Sequence, residues 1–217
     1  MQGSDTASPG ITAIVLAGGQ GSRMGGVDKG LQVFRGQALA RHAGQRLLQG
    51  GGVQRLLLSA NRHTETYAQW GWPVLPDSLA GYQGPLAGFL AGWAACDTDY
   101  LLAVPCDTPL FPLDLAQHML ATLQTQNARV ALACAPESAS HPELRRQPAF
   151  CLMHRSVAED LAQFVNEGGR KIGAWAQRHP LALVPFNRPQ DPPWAFTNIN
   201  TLADLNGLQH LTDTNAP

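Results

Sequence analysis

Leu16-Ala17-Gly18-Gly19-Gln20-Gly21-Ser22-Arg23-Met24-Gly25-Gly26-Val27-Asp28-Lys29 follows the apolar run Ile11 to Leu16 and precedes a helical pattern. A buried strand, a glycine-rich turn and a helix in that order make the unit from which parallel α/β sheets are built. Such sheets bind their ligands at the strand carboxyl ends. Glycines there let backbone N–H groups approach phosphate oxygens, which a Cβ would hold away. Arg23 and Lys29 add two cations where a triphosphate brings about four negative charges. The plain alternative is a glycine-rich connection with incidental cations. A Walker A loop is excluded, because Lys29 lies between Asp28 and Gly30 with no Ser or Thr behind it. A dinucleotide fingerprint is excluded too: G-x-G-x-x-G begun at Gly19 meets Met24 at its third glycine.

Working outward, Leu39, Ala43 and Leu47 recur at helical spacing over Ala38 to Gln49, and Gly50-Gly51-Gly52 stops that helix. Val53 to Ser59 reads as a second strand, and Val74-Leu75 is a shorter apolar step. Gly84 to Cys96 opens on Gly-Pro and carries Leu86, Leu90 and Trp93 on one stripe, as a helix does. Tyr100 to Val104 is a buried strand. Pro112 starts a helix with Leu113, Ala116, Leu120 and Leu123 on one face, and Val130 to Ala135 is again a strand. The alternation β-α-β-α-β-α-β predicts an α/β fold, a mostly parallel central sheet with helices on both faces.

The second half is less regular. Pro136 to Arg146 reads as a polar loop, Ala149 to Met153 as a strand, and Ser156 to Val165 as a helix whose Ser156 and Glu159 form a capping box. Arg170 to Arg178 reads as a short helix and Leu181 to Phe186 as a strand. Thr201 to Leu211 is a closing helix with Leu202, Leu205, Leu208 and Leu211 on one stripe. Residues 11–211 therefore read as one α/β domain, with residues 1–10 expected to be a disordered tail.

Composition narrows the function classes. A chain of 217 residues needs no staple to bury roughly 70–75% of its unfolded surface. A net charge of −1, with 14% charged residues, gives no footprint for wrapping nucleic acid or an anionic membrane. Cys96, Cys106, Cys134 and Cys151 form no C-x-x-C pair, so neither a zinc site nor a disulfide framework is expected. Four reduced thiols, no basic and apolar leader, and no run near the ~18 apolar residues of a membrane span predict a cytoplasmic protein. The seven histidines show no metal-ligand spacing.

The pattern L-A-G-G-x-x-x-R-M-G-G-x-D-K over Leu16 to Lys29 resembles the signature of the molybdenum cofactor guanylyltransferase family, which are nucleotidyltransferases. Further matches follow in family order: Ser59-Ala60-Asn61-Arg62, Pro76-Asp77, Gly84-Pro85-Leu86-Ala87-Gly88, Pro105-Cys106-Asp107-Thr108-Pro109, Gln147-Pro148, Gly169-Arg170-Lys171 and Asn198-Ile199-Asn200-Thr201. They cover nearly the whole chain. Leu202, where the family often has Pro, and the Gly50-Gly51-Gly52 run depart from the pattern.

The resemblance implies a Rossmann-like three-layer fold of the nucleotide-diphospho-sugar transferase kind, with GTP as substrate and Mg²⁺ as cofactor. It implies transfer of GMP to the terminal phosphate of molybdopterin, with release of pyrophosphate. Carried over by position, Leu16, Ala17, Gly18 and Lys29 contact the nucleotide, Asn61 and Asp77 help hold it, and Asp107 binds both nucleotide and Mg²⁺. The N-terminal half would take GTP and the C-terminal half the acceptor. The family setting also leaves room for transient contact with cofactor-biosynthesis proteins and apo-molybdoenzymes.

The residue chemistry suits that reaction. Arg23, Lys29 and Asp107 form the expected catalytic set: two cations for the leaving pyrophosphate and one carboxylate for a metal that takes hard oxygen ligands. Asp107 would project from the end of the strand Tyr100 to Val104; its other reading is a turn residue. Asn61 and Asp77 could read the N1–H, N2–H₂ and O6 groups of guanine, or could simply shape turns. Arg170, Lys171, Asn198 and Asn200 could meet a phosphorylated acceptor, or could be a solvated helix start and a strand-end turn. Two other functions compete: a cytidylyl or sugar-phosphate nucleotidyltransferase, and a non-catalytic pterin or nucleotide carrier. A carrier has no use for a leaving-group clamp and a metal carboxylate together.

Overall fold

A computed structural model describes residues 10–18, 28–77, 84–138 and 141–214. Strand β1 (Ile11–Leu16) lies inside the sheet, and every residue but the last is buried. After it come a hairpin of β2 (Val33–Phe34) and β3 (Gln37–Ala38), helix α1 (Leu39–Gly50), β4 (Val53–Ser59), α2 (Thr64–Ala68) and β5 (Val74–Leu75). Helix α3 (Pro85–Ala95), β6 (Tyr100–Pro105), α4 (Leu115–Thr125), β7 (Val130–Ser138) and β8 (His141–His154) lead into the last third. There α5 (Ala158–Asn166), α6 (Ile172–Ala176), β9 (Leu181–Pro185) and α7 (Leu202–Thr214) finish the described chain.

Seven strands share one sheet in the order β5-β4-β1-β6-β8-β7-β9. β1 pairs in parallel with β4 and β6, β4 with β5, and β7 with β9. β8 alone runs against its neighbours β6 and β7. The expected mostly parallel sheet is therefore present, with one antiparallel strand set into its middle.

Side chains alternate across each strand and so supply two cores. Ile11, Ala13 and Val15 of β1 join Leu102 and Val104 of β6 in the layer under α1 and α4. Ile14, Leu101 and Ala103 point the other way, into the layer under α3, α5 and α6, where Trp175 is fully buried. A third, smaller cluster packs Phe34 and Leu39 against Ile199, Leu205 and Leu208, fastening the β2–β3 hairpin to α7.

Several expectations are corrected. Within the polar loop read over Pro136 to Arg146, residues 136–138 and 141–146 belong to β7 and β8, where Ala135 pairs with Arg145 and Pro136 with Leu144. The capping box of Ser156 and Glu159 is replaced by a 3-10 turn, Arg155–Val157, whose Ser156 N–H is accepted by the His154 ring at 3.2 Å. The helix read from Pro112 begins at Leu115. The β2–β3 hairpin, turning at Arg35 and Gly36 with φ of 48° and 75°, and the short α2 had no sequence reading.

Candidate active site

The carboxyl ends of three parallel strands meet at one level: Leu16 stands in register with Ser59 on one side and Pro105 on the other. The ladder continues one step past the strands, with Ala17 N–H donating to the Ser59 carbonyl at 2.8 Å and Cys106 N–H to the Leu16 carbonyl at 3.1 Å. Gly18 follows, and a Cβ there would stand 3.3 Å from Asn61 Nδ2. Gly88 plays the matching part on α3, where a Cβ would meet the Leu16 side chain at 2.5 Å. The Gly-Pro-Leu-Ala-Gly motif thus lets a helix press against the strand ends that carry the loop.

Lys29 returns to this level on a 3-10 turn, Lys29–Leu31, and sequence explains why the chain turns there. Asp28 caps it, accepting Gly30 N–H at 3.0 Å and the Tyr67 hydroxyl at 2.7 Å on the same Oδ1. Both Asp28 and Tyr67 are buried. Burial first, and then the bond to Asp28, push the Tyr67 phenol above its usual range, so it remains a donor.

From that turn Lys29 Nζ donates to Asp107 Oδ2 at 3.0 Å and to Asn200 Oδ1 at 2.6 Å. The Lys29 and Asp107 side chains are about a quarter exposed, so the pair faces solvent where a ligand can reach it. Asp107 stands just beyond β6, and its own carbonyl accepts Ile199 N–H at 2.7 Å. Thr108 Oγ1, fully buried, donates to Asn198 Oδ1 at 2.6 Å. A capping box at α7 steadies the strap that carries these asparagines: Asp204 accepts the N–H groups of Asn200 and Thr201 at 2.9 Å, and Thr201 Oγ1 accepts Asp204 N–H at 3.1 Å. Those backbone donors, Asn200 first, hold the Asp204 carboxyl below its usual range.

Asn61 and Asp77 face each other across the ends of β4 and β5. Asn61 Nδ2 donates to Asp77 Oδ2 at 2.6 Å, and Asp77 N–H donates back to Asn61 Oδ1 at 2.8 Å. Arg23 lies outside the described residues. Arg170 donates to the carbonyls of Val165 and Gly169, closing the loop between α5 and α6. Lys171 stands at the N-cap position of α6. Of the four residues read for an acceptor, the structure joins Asn200 directly to Lys29, and Asn198 to Thr108 beside Asp107.

Two partners escaped sequence reading, Tyr67 and Asp204, and Thr108 was read only as part of the Pro105 to Pro109 motif, without a role. Thr201-x-x-Asp204 is a capping signature that could have been seen. Tyr67 carried no signal, being one aromatic in a short helix.

Among the described residues no three His, Cys, Asp or Glu side chains gather as a metal cage. The donors present nevertheless fit Mg²⁺ in the way it meets nucleotides, with one carboxylate, Asp107, and phosphate oxygens and water for the rest. Cys106, next to Asp107, is buried, and burial pushes its thiol up, which disfavours the thiolate. All four cysteines are free and buried.

A strand-end glycine backbone beside a lysine and a carboxylate, at the carboxyl ends of parallel strands, is an arrangement able to meet phosphates. The model of the MobA-like NTP transferase domain matches residues 13–181, and the chain belongs to that family. A molybdenum cofactor guanylyltransferase from Albidiferax ferrireducens is 51% identical over 202 residues, covering 92% of this chain and 96% of that one. Another from Ralstonia nicotianae is 47% identical over 200 residues, covering 91% and 95%. Among solved structures, molybdopterin-guanine dinucleotide biosynthesis protein A from Archaeoglobus fulgidus superposes with a TM-score of 0.72 at 18% identity, over 94% of this chain and 99% of that one. A CMP:2-keto-3-deoxy-manno-octonic acid synthetase does so with 0.71 at 15% identity, over 96% and 100%. At those identities the likeness is one of fold.

Proposed function

We propose that this protein transfers GMP from GTP to the terminal phosphate of molybdopterin, forming the guanine dinucleotide cofactor and releasing pyrophosphate. The observation that carries the reading is Lys29 Nζ, held between the Asp107 carboxylate and the Asn200 amide beside the glycine end of β1. The names of relatives about half identical over more than nine-tenths of the chain support the substrates.

The reaction is an in-line displacement at the α-phosphorus. An acceptor phosphate oxygen forms the new P–O bond, and the bond to the bridging oxygen breaks with its electrons going to pyrophosphate. The backbone of Leu16, Ala17 and Gly18 lies against the phosphates, and Lys29 and Arg23 neutralise charge growing on the leaving group. Mg²⁺ would be held by Asp107, and supplies charge neutralisation on the triphosphate. A partly exposed ion pair is worth at most about 1 kcal/mol. Lys29 and Asp107 can therefore exchange each other for a triphosphate and its metal. Asn61 and Asp77 offer an amide and a carboxylate to the guanine edge. Asn198 and Asn200, with Arg170 and Lys171, serve the acceptor, so the N-terminal half takes GTP and the C-terminal half molybdopterin within one domain.

No helix among the described residues is long and apolar enough to cross a membrane. The four free, buried thiols support a cytoplasmic site of action, and the reading assigns no nucleic acid or membrane partner. Transient contact with cofactor-biosynthesis proteins and apo-molybdoenzymes belongs to the same reading.

The test is pyrophosphate release from GTP, Mg²⁺ and molybdopterin. Release at least about tenfold faster with GTP than with CTP is expected, a ratio that equals ~1.4 kcal/mol of discrimination. Equal rates with CTP point to a cytidylyl enzyme, and no release with intact acceptor points to a carrier.

A further inference from the structure

Four polar or charged residues are buried among those described: Thr12, Asp28, Ser59 and Thr108. Three of them have side-chain partners within the fold. Thr12 Oγ1 accepts from the Thr98 hydroxyl at 2.9 Å, Asp28 accepts from Gly30 and Tyr67, and Thr108 donates to Asn198. Ser59, 2% exposed at the end of β4, is the exception, since among the described residues nothing hydrogen-bonds its hydroxyl. A buried hydroxyl without a partner is costly, and proteins ordinarily supply one.

Two glycines show where that hydroxyl points. A Cβ at Gly88 on α3 would stand 3.2 Å from Ser59 Oγ, and a Cβ at Gly18 would stand 3.8 Å from it and 3.3 Å from Asn61 Nδ2. Both glycines leave room beside the oxygen, and the room at Gly18 is shared with the Asn61 amide. Among the described residues Trp93 Nε1 is the one sealed side-chain polar atom without a partner, so the equally unpartnered Ser59 Oγ keeps an opening. It opens at the strand carboxyl ends, level with Leu16. Because β4 lies across β1 from β6, the opening is on the side of Asn61 and Asp77, away from Asp107.

We propose that Ser59 is a further nucleotide-binding residue, whose hydroxyl donates to the O6 carbonyl of guanine. The proposal rests on the reading of this site as one for GTP, with Asn61 and Asp77 at the base. A carboxylate suits the N1–H and N2–H₂ donors of guanine, and leaves the neighbouring O6 acceptor in need of a donor. Asn61 Nδ2 already donates to Asp77 Oδ2 at 2.6 Å. The Ser59 hydroxyl is uncommitted, and it faces the same space as that amide. Held by β4 on one side and α3 on the other, it is a donor fixed in place before the base arrives.

The experiment measures, by calorimetry with Mg²⁺ and without acceptor, the binding of GTP and of 6-thio-GTP to the full chain, in wild type and in Ser59→Ala. The melting temperature of each ligand-free protein is read alongside. In 6-thio-GTP sulfur replaces O6 while N1–H and N2–H₂ remain, and sulfur is a weak acceptor. Ser59→Ala is expected to weaken GTP binding about three- to tenfold, the loss of one neutral hydrogen bond, and to change 6-thio-GTP binding by less than about twofold. The ligand-free melting temperature should not fall, because the hydroxyl removed has no partner in the fold. Equal GTP affinity in the two proteins overturns the proposal, leaves the GTP site standing and makes water the partner of the hydroxyl. An equal loss for GTP and 6-thio-GTP also overturns it, and moves the contact to the ribose or the phosphates. A wild type that binds no GTP overturns the reading of the site itself, and this proposal with it.

Discussion

At the scale of single residues, Asp107 is the sharpest point of contact between structure and chemistry. Asp107→Asn keeps the shape and removes the charge. Because the ion pair with Lys29 is partly exposed, stability should change by less than about 1 kcal/mol. Pyrophosphate release should nevertheless fall at least ~100-fold, while GTP binding measured without metal is retained, since the metal acts on charge that develops in the transition state. Near wild-type turnover in the folded variant would remove Asp107 from the site. Tyr67→Phe tests a residue that touches no substrate. The ring stays, but the buried Asp28 carboxylate loses one of the two donors it has among the described residues, costing about 1–3 kcal/mol of stability. The turn that aims Lys29 should loosen with it, so KM for GTP rises several-fold while far-UV circular dichroism is unchanged. A variant that loses stability with KM intact assigns Tyr67 to packing alone. That Gly18 and Asp107 follow directly on strands was legible in the sequence, because apolar runs are local signals, while the part each plays with Lys29 belongs to the proposed function. The Asp28–Tyr67 bond was not, since its partners lie 39 residues apart and nothing local in either segment points to the other.

At the scale of elements, glycine positions separate close approach from mere permissiveness. Gly50 ends α1, and a Cβ there would meet the Leu113 carbonyl oxygen at 1.7 Å. The glycine run that departs from the family pattern thus lets α1 abut the chain entering α4. Gly50→Ala should cost about 1–3 kcal/mol through the forced backbone shift, each kcal/mol lowering Tm by roughly 2–4 °C at this chain length. In α6 a Cβ on Gly173 meets nothing within 4 Å. Gly173→Ala should stabilise the fold by up to about 1 kcal/mol of helix propensity and so raise Tm slightly. Paired thermal melts check both signs, and a Gly50→Ala variant as stable as wild type would refute the close approach. The buried strands were legible from their apolar runs. The β7–β8 extension was not, because residues 141–146 are exposed and no buried face imposes a period of two. A strand without a core side carries the composition of a loop.

At the scale of the whole molecule, ion pairs bind distant parts of the chain. Arg188, on the segment after β9, donates to both Asp114 oxygens at 2.7 and 2.9 Å ahead of α4, and to Asp191 beside it. These bonds hold the Asp114 carboxyl below its usual range and the Arg188 guanidinium above its own. A carboxyl whose folded pKa is depressed contributes stability that is present above its unfolded pKa of ~3.9 and is lost as pH falls through the folded value. Arg188→Gln should therefore lower Tm at pH 7, and the gap to wild type should shrink as pH falls below about 4. A gap that stays constant down to pH 2.5 would show that the pair's charge is not what stabilises the strap. The mostly parallel sheet was legible from the alternation of strands and helices. The place of β8 was not, because sequence reports which segments are strands and leaves their neighbours open.

That strand order bears on how the chain is made. β6 has β1 on one side and β8 on the other, and β7 pairs only with β8 and β9, both later in sequence. A ribosome that has released residues up to 138 has therefore delivered β7 with no strand to join, and β6 with one bare edge. The first four strands of the sheet can assemble in that interval, but the apolar row of β6 waits for residues 151–154 to cover it. Exposed strand edges invite pairing with other chains. Translation pauses inside the hairpin, between residues 138 and 151, prolong the period in which nascent copies can aggregate.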